Sequence, residues 1–446
     1  MQQFVIEGGY PLSGEMTPGG NKNAALKMLP ACLLTDEPVV LHNVPDIGDV
    51  RVVIRVLQGL GAEVQWLDER TVRVHAHNIT STQIDPALAQ KIRASIVFAG
   101  PMLGRCGQLS LPGPGGDVIG QRRLDTHVIA LTKLGALIEF RDGVFEMRAD
   151  KLTGADILLD EASVTATENA LMGAVLAKGT TIIRNAASEP HVQDLCIMLN
   201  NLGAQIEGSG SNRLVIQGVE KLHGGEARVG ADFMEVGSFI GAAVVTGGSI
   251  RIKDADPQHM DMIALVFGRL GVHWNTEGQD IVVPANQTLT ITPDLGNRIP
   301  VIRAQPWPAF PSDLMSIAIV LASQSAGAVL FHEWMYESRF FFTDKLTRMG
   351  ARITLCDPHR VLVQGPVRLQ GTPYISSPDI RAGMALVLAA LAAKGETRIS
   401  NIQQIDRGYE KVDEKLAKLG AHILRIEDKT VSPLNETQET RSLGNA

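Results

Sequence analysis

Four clusters in this sequence pair residue types with spacings that chemistry can use. The first is Gly19-Gly20-Asn21-Lys22-Asn23-Ala24-Ala25, a glycine turn running into an apolar stretch. A lysine at a helix start holds phosphate well, because unpaired backbone N–H groups and the helix dipole favour the same anion. The plain alternative is a solvated lysine. The second cluster is Leu111-Pro112-Gly113-Pro114-Gly115-Gly116-Asp117-Val118-Ile119-Gly120-Gln121-Arg122-Arg123. Its density of glycine and proline predicts a loop rather than the interior of a strand or helix. One acid amid glycines, Asp117, fits an active-site lid, and equally a turn in a connector.

The third cluster is Pro306-Trp307-Pro308-Ala309-Phe310-Pro311-Ser312-Asp313. The prolines hold the backbone extended. Asp313 is expected to N-cap the apolar stretch 314–321, and a carboxylate placed so rigidly also suits a general base. The fourth is a set of arginines at expected element starts: Arg93, Arg122, Arg339, Arg381 and Arg407. Most surface arginines are merely solvated. Arginines at equivalent points of a repeated fold can instead converge on one cleft, where their forks take carboxylate and phosphate bidentately.

Other signatures fail. Residues 19–23 lack the spacing of a P-loop, His332-Glu333 is followed by Tyr336 where a zinc-protease motif needs histidine, and no GxGxxG follows a strand. A formal net charge of −7 argues against a general nucleic-acid binder, which needs a basic face. Cys32, Cys106, Cys196 and Cys356 are too far apart for a CxxC zinc site and suit free thiols in a reducing compartment. The longest apolar run, residues 384–393, is about half of what a bilayer crossing needs. The opening Met1-Gln2-Gln3-Phe4 carries no basic region and no long apolar run, so no signal peptide is expected. A soluble cytoplasmic protein is predicted.

The elements that position these clusters come from a repeat. Leu60-Gly61-Ala62-Glu63-Val64 returns as Leu134-Gly135-Ala136-Leu137-Ile138, Leu202-Gly203-Ala204-Gln205-Ile206, Leu270-Gly271-Val272, Met349-Gly350-Ala351-Arg352-Ile353 and Leu419-Gly420-Ala421-His422-Ile423. A period of about 70 residues, six times over, dominates the expected fold. Each phrase closes a helix and opens a strand. Before Gly420, Val412, Leu416 and Leu419 form one apolar helical face, and the glycine fits the left-handed C′ position. Six such units exceed one core, so three plus three is the expected division, with the crossing near residues 228–233. The opening strand Phe4-Val5-Ile6 is expected to pair with the second half.

At the four clusters the chain resembles the UDP-N-acetylglucosamine enolpyruvyl transferases of bacterial cell-wall synthesis, relatives of the shikimate-pathway enolpyruvyl transferases. The likeness runs from residue 1 to about residue 428. It is carried by Asn21-Lys22-Asn23-Ala24-Ala25-Leu26, Arg93-Ala94-Ser95, Pro308-Ala309-Phe310-Pro311-Ser312-Asp313 and Ile405-Asp406-Arg407-Gly408-Tyr409-Glu410. The resemblance implies an α/β fold of two inside-out, barrel-like domains with three repeats each. The expected limits are 22–230 for the domain carrying the lid, 1–21 plus 231–430 for the second, and 431–446 for a frayed polar tail.

It also implies transfer of the enolpyruvyl group of phosphoenolpyruvate to the 3′-hydroxyl of UDP-N-acetylglucosamine, with no metal or organic cofactor. The two substrates are then the partners; no nucleic acid, membrane or obligatory protein partner is expected. Lys22 and Asn23 fall on the family's phosphoenolpyruvate-binding pair. Arg122 and Arg407 fall at its phosphate, Arg339 and Arg381 near its carboxylate. Arg93, the run Arg122, Arg123, Leu124, Asp125 and Thr126, and Ser163, Val164 and Met335 fall on the nucleotide-sugar subsite. Asp313 falls on the aspartate that engages the sugar hydroxyl. The implied catalytic set is Asp117, Asp313, Lys22 and Arg407. Many members carry cysteine where this chain has Asp117 and others aspartate, which implies resistance to fosfomycin, an epoxide opened by the thiolate. Glu161 and Thr165 depart from the residues common beside Ser163-Val164, and Gln404 replaces a frequent histidine. A paralogue acting on another nucleoside or sugar, or a six-repeat scaffold without chemistry, are the alternatives.

Overall fold

The computed structural model describes residues 2–116, 119–120 and 122–427. All six phrase glycines are left-handed, with φ of 106° at Gly61, 98° at Gly135 and Gly203, 87° at Gly271, 99° at Gly350 and 94° at Gly420. A side chain with Cβ would be strained there, which is why the repeat keeps glycine. Five are followed two residues later by a strand, as in Glu63–Trp66 and His422–Glu427. The fourth copy differs: after Gly271 the strand begins only at Asn275. The Gln287 side chain bonds both the N–H and the C=O of His273, at 2.8 and 2.9 Å, and so takes the place of a ladder partner.

Each repeat also owns a second helix, and these six are the molecule's centre. They are α1 (Lys22–Ala31), α2 (Ala99–Cys106), α3 (Val164–Ala174), α4 (Phe233–Val245), α5 (Met315–Gln324) and α6 (Ile380–Ala392). In α4, α5 and α6 nearly every residue is buried, so they carry no polar face. They pack on one another at close range. A Cβ on Gly241 would come within 2.9 Å of both Ile317 and Leu388, so only glycine lets the three helices meet. In the first half α2 packs on α3, and α1 packs on the 3₁₀ turn Arg93–Phe98 that leads into α2. The apolar run seen at 384–393 therefore lies inside a packed core, and no described helix is long and apolar enough to cross a membrane.

Sheets lie outside the helices. Among the described residues five have four strands and one has three. The unit reads helix, strand, helix, strand, strand, and a parallel fourth strand completes most sheets. The sixth repeat ends at His422–Glu427 among the described residues, one strand short. Gln2–Gly8 supplies it, lying antiparallel between Gly395–Ser400 and His422–Glu427 with Gln2 opposite Glu427. The expected pairing of Phe4-Val5-Ile6 with the second half is this ladder.

Buried apolar side chains form two clusters, one running from Ala24 to Val229 and one joining Phe4 to Met16 with Phe233 to Ile423. The chain passes between them twice, and the two passages lie side by side. Gly20 bridges Ala231 antiparallel, Asn21 N–H donates to Gly230 O at 2.8 Å, and Asp232 N–H donates to Gly19 O at 2.9 Å.

Candidate active site

The crossover delivers Lys22 to the space between the halves. Helix α1 starts at Lys22 because the Asn21 side chain caps it, accepting from Ala24 N–H at 3.0 Å. Asp232, itself the cap of α4, accepts from the Lys22 N–H at 3.2 Å and so ties the start of α1 to the second half. The Lys22 ammonium lies 2.8 Å from Asp49, in the first turn of helix Gly48–Leu60. Arg407 reaches the same carboxylate from the other half, Nε to Oδ1 at 2.9 Å. Burial pushes the Asp49 carboxyl up, but Lys22 and Arg407 outweigh it and hold it below the ordinary carboxylate range. Gln404 accepts from Arg407 Nη1 at 2.8 Å, so the residue that departs from the family steadies the arginine. Asn23 follows Lys22 on α1 and is half-buried.

A second pair of cations shares a second carboxylate. Asp313 does not cap a helix: the 3₁₀ turn Ser312–Leu314 leads into α5, whose start has no side-chain cap. Its two oxygens are taken instead by Arg339 and, at 2.9 Å, by Arg381. Both arginines are almost fully buried, while the Asp313 side chain stays 30% exposed. Burial would raise its carboxyl, but Arg381 and Arg339 overcome that and hold it far below the usual range. The cap expectation fails because two buried guanidinium groups bind a carboxylate more strongly than neutral backbone N–H groups do. Ser312 joins Arg339 to Glu333, and Glu333 accepts from the Met335 N–H at 2.9 Å. That fixes Met335 beside this cluster. Arg381 lies over the Tyr409 ring, and its Nη1 has no hydrogen-bond partner among the described residues.

The glycine-rich segment begins inside a strand, since Leu111 and Pro112 end Gln108–Pro112, and the loop starts at Gly113. Asp117 lies outside the described residues. The flanking loop reaches the second half: Ser338 N–H donates to Ile119 O at 3.1 Å, and Gly120 packs against Glu337. Arg93 donates to the carbonyls of Arg122 and Arg123, the latter at 3.1 Å. Burial, then the charge of Arg122, pushes the Arg93 guanidinium down to about 10, and an anion placed there relieves both. Leu124 stands at the N-cap of helix Asp125–Lys133, and Arg123 pairs with Asp125 at 3.2 Å. Thr126 donates to Asp160 at 2.7 Å and lies 3.4 Å from Glu161. Ser163 and Val164 open α3 one residue before Thr165. Asn169 donates to His127 Nδ1 at 2.8 Å, so His127 Nε2 carries the hydrogen and donates to Thr165 Oγ1 at 3.0 Å.

Several residues of the cleft escape sequence reasoning. Asp49 and Asp232 read as ordinary acids at helix starts. Glu410 pairs with Arg70 at 2.7 Å and accepts from Asp46 N–H at 3.0 Å, joining the halves. Glu189, whose carboxyl burial raises, accepts from the Trp307 N–H at 3.5 Å. Behind Lys22 on α1, buried Lys27 faces Glu168 at 3.5 Å. The one signal available was position at an element start, and many inert residues share it.

Known proteins agree with this geometry. The profile of the EPSP synthase (3-phosphoshikimate 1-carboxyvinyltransferase) family matches residues 6–416. The UDP-N-acetylglucosamine 1-carboxyvinyltransferase of Treponema denticola is 53% identical over 423 residues, covering 95% of this chain and 99% of that protein. The enzyme of the same name from Bradyrhizobium diazoefficiens is also 53% identical, covering 96% and 99%. Among solved structures, the enolpyruvyl transferase NikO from Streptomyces tendae matches with a TM-score of 0.84 at 26% identity, over 95% of this chain and 98% of that one. EPSP synthase from Acinetobacter baumannii shares the fold, with a TM-score of 0.74 at 16% identity over 96% and 100%. With its two inside-out α/β units and its paired cation clusters, the chain belongs to the EPSP synthase family of enolpyruvyl transferases, beside the UDP-N-acetylglucosamine 1-carboxyvinyltransferases.

Proposed function

We propose that this enzyme moves the enolpyruvyl group of phosphoenolpyruvate to the 3′-hydroxyl of UDP-N-acetylglucosamine and releases phosphate, the first committed step of peptidoglycan synthesis. One observation supports the reading: Lys22 and Arg407 share Asp49, Arg339 and Arg381 share Asp313, and Asp232, which accepts from the Lys22 N–H, also acts electrostatically on Arg381. A small substrate with phosphate at one end and carboxylate at the other matches both. Lys22 and Arg407, with Arg122, take the phosphate; Arg339 and Arg381 take the carboxylate. Arg93, Arg123, Thr126, Ser163, Val164 and Met335 serve the nucleotide sugar.

In the reaction Asp117 gives a proton to C3, the sugar oxygen attacks C2, and the hydroxyl proton passes to Asp313. C3 then returns its proton to Asp117 while the C2–O bond to phosphate breaks. Lys22 and the arginines stabilise the charge on the departing group. Residues 22–230 form the domain bearing the lid and residues 1–21 with 231–430 the other, acting in the cytoplasm in support of cell-wall growth, shape and division. The test is phosphate release from phosphoenolpyruvate, which should need UDP-N-acetylglucosamine and fail with other nucleosides or sugars. Release with one of those in place of UDP-N-acetylglucosamine would favour a paralogue of other specificity. Because Asp117 offers no thiolate, fosfomycin should leave the intact mass unchanged, whereas Asp117→Cys should gain the adduct.

A further inference from the structure

Glu63, His75 and His77 sit together on the outer sheet of the first repeat, whose strands run in the order Gly225–Arg228, Val39–His42, Val72–His75, Glu63–Trp66. Glu63 is directly opposite His75 in the antiparallel ladder. His75 is the last residue of the strand Val72–His75 and His77 lies two residues past it; Val74 and Ala76 are buried while His77 is exposed. The Glu63 carboxylate spans the two rings, Oε2 at 3.8 Å from His75 Nδ1 and Oε1 at 4.0 Å from His77 Nδ1. All three donor atoms lie within 4.8 Å of one another.

A separate observation aims one ring. His75 Nε2 lies 3.1 Å from the Asp36 carbonyl, which can only accept. Nε2 therefore carries the hydrogen, and the Nδ1 lone pair faces Glu63 and His77. A ring that donates its far N–H to a backbone carbonyl while turning its lone pair to other donors is the usual outer support of a metal-bound histidine. The rings are tilted by 39° with centroids 4.6 Å apart, and both Nδ1 atoms lie toward the carboxylate. Donors of a tetrahedral zinc ion stand about 3.4 Å apart for bonds of about 2.1 Å. Small rotations of exposed Glu63 and His77 close the trio to that spacing.

We propose that Glu63, His75 and His77 form a surface site for a borderline divalent transition ion, zinc above all, with water completing the coordination. Two imidazoles and one carboxylate suit that class, and calcium or magnesium would prefer an all-oxygen set. The ion pins the strand Glu63–Trp66, which forms the edge of its sheet, to the strand beside it.

The test uses the full chain stripped with a chelator, with Cys106→Ser and Cys356→Ser removing the accessible thiols. Calorimetric titration with zinc chloride should show one ion bound per chain. His75→Ala, His77→Ala and Glu63→Gln should each weaken it about tenfold or more. Nitrogen-15 spectra should show His75 protonated at Nε2 before and after zinc, with its Nδ1 signal displaced on binding. Phosphate release by the three variants should match the parent, which verifies their fold. Zinc affinity unchanged by the variants, no binding at all, or a hydrogen on His75 Nδ1 in the zinc-free chain would overturn the proposal.

Discussion

Asp49 and Asp313 each hold two cations that would otherwise repel. On the proposed assignment, the carboxylate of phosphoenolpyruvate would compete with Asp313 for Arg339 and Arg381, and the aspartate would become a better proton acceptor as their hold weakened. Asp313→Asn keeps a side chain that the arginines can contact but cannot accept the hydroxyl proton. Turnover should fall about 10²–10⁴-fold with nucleotide-sugar binding retained, and steady-state kinetics beside calorimetry measures both. On the proposed assignment, Arg407→Ala would remove a charge-assisted partner of the phosphate worth about 1.5–3 kcal/mol. It should raise KM for phosphoenolpyruvate far more than the Kd of UDP-N-acetylglucosamine; equal losses would indicate general unfolding. At this scale the sequence displayed the cations and hid their partners. Arg407 stands in a recognisable phrase, but the carboxylate that meets it is 358 positions away. Asp313 was visible as an acid before an apolar helix, and that context alone predicts a cap.

Among elements, the paired passages between the halves are the most constrained. Asp194, on helix Pro190–Asn201 of the first half, accepts from Gly230 N–H at 3.2 Å, and Asp256 of the second half accepts from Ala231 N–H at 2.9 Å. Burial, with a further push from Asp256, raises the Asp194 carboxyl to about 6. Its folded value lies above the unfolded one of about 3.9, so ionising it costs nothing below pH 4 and opposes folding increasingly up to pH 6. Asp194→Asn keeps the acceptor for Gly230 and removes the charge. It should be indistinguishable from the parent near pH 4 and more stable by about 1–3 kcal/mol above pH 7, as urea midpoints at the two pH values would show. Equal midpoint shifts at both would refute it. The elements themselves were the most legible part of the sequence, because a C′ glycine followed by an apolar strand is a local rule. The fourth copy broke it where a distant side chain, Gln287, satisfied the backbone instead.

At the scale of the whole molecule, the six-unit order is written off by one strand: Gln2–Gly8 does for the last repeat what the third strand of each other repeat does for itself. The sequence showed that an opening strand existed, and the reason it belongs to the far end appears only once the sheets are laid out. Since Gln2 pairs with Glu427, a short hairpin can join them. A permuted chain beginning at Tyr10 and carrying residues 2–9 after Glu427 should fold, bind UDP-N-acetylglucosamine and turn over within a fewfold of the parent. A permutant that is insoluble, or soluble without the cooperative melt of the parent, would show that the strand's position in the chain matters beyond its pairing.

That offset also sets a timetable during translation. Gln2–Gly8 leaves the ribosome nearly 400 residues before its two neighbours, Gly395–Ser400 and His422–Glu427. At about 5–20 residues per second the strand waits some tens of seconds with both edges unpaired. Its length is short, and Glu7 and the run Gly8-Gly9 interrupt its apolar face, which limits stray pairing with other nascent chains. Meanwhile the core from Ala24 to Val229 has all its parts and can close on its own. Ribosomes stalled near residue 300 should therefore display a protease-resistant first half and a cleavable N-terminal strand, whereas the permutant stalled at the same point should keep the first and lack the second.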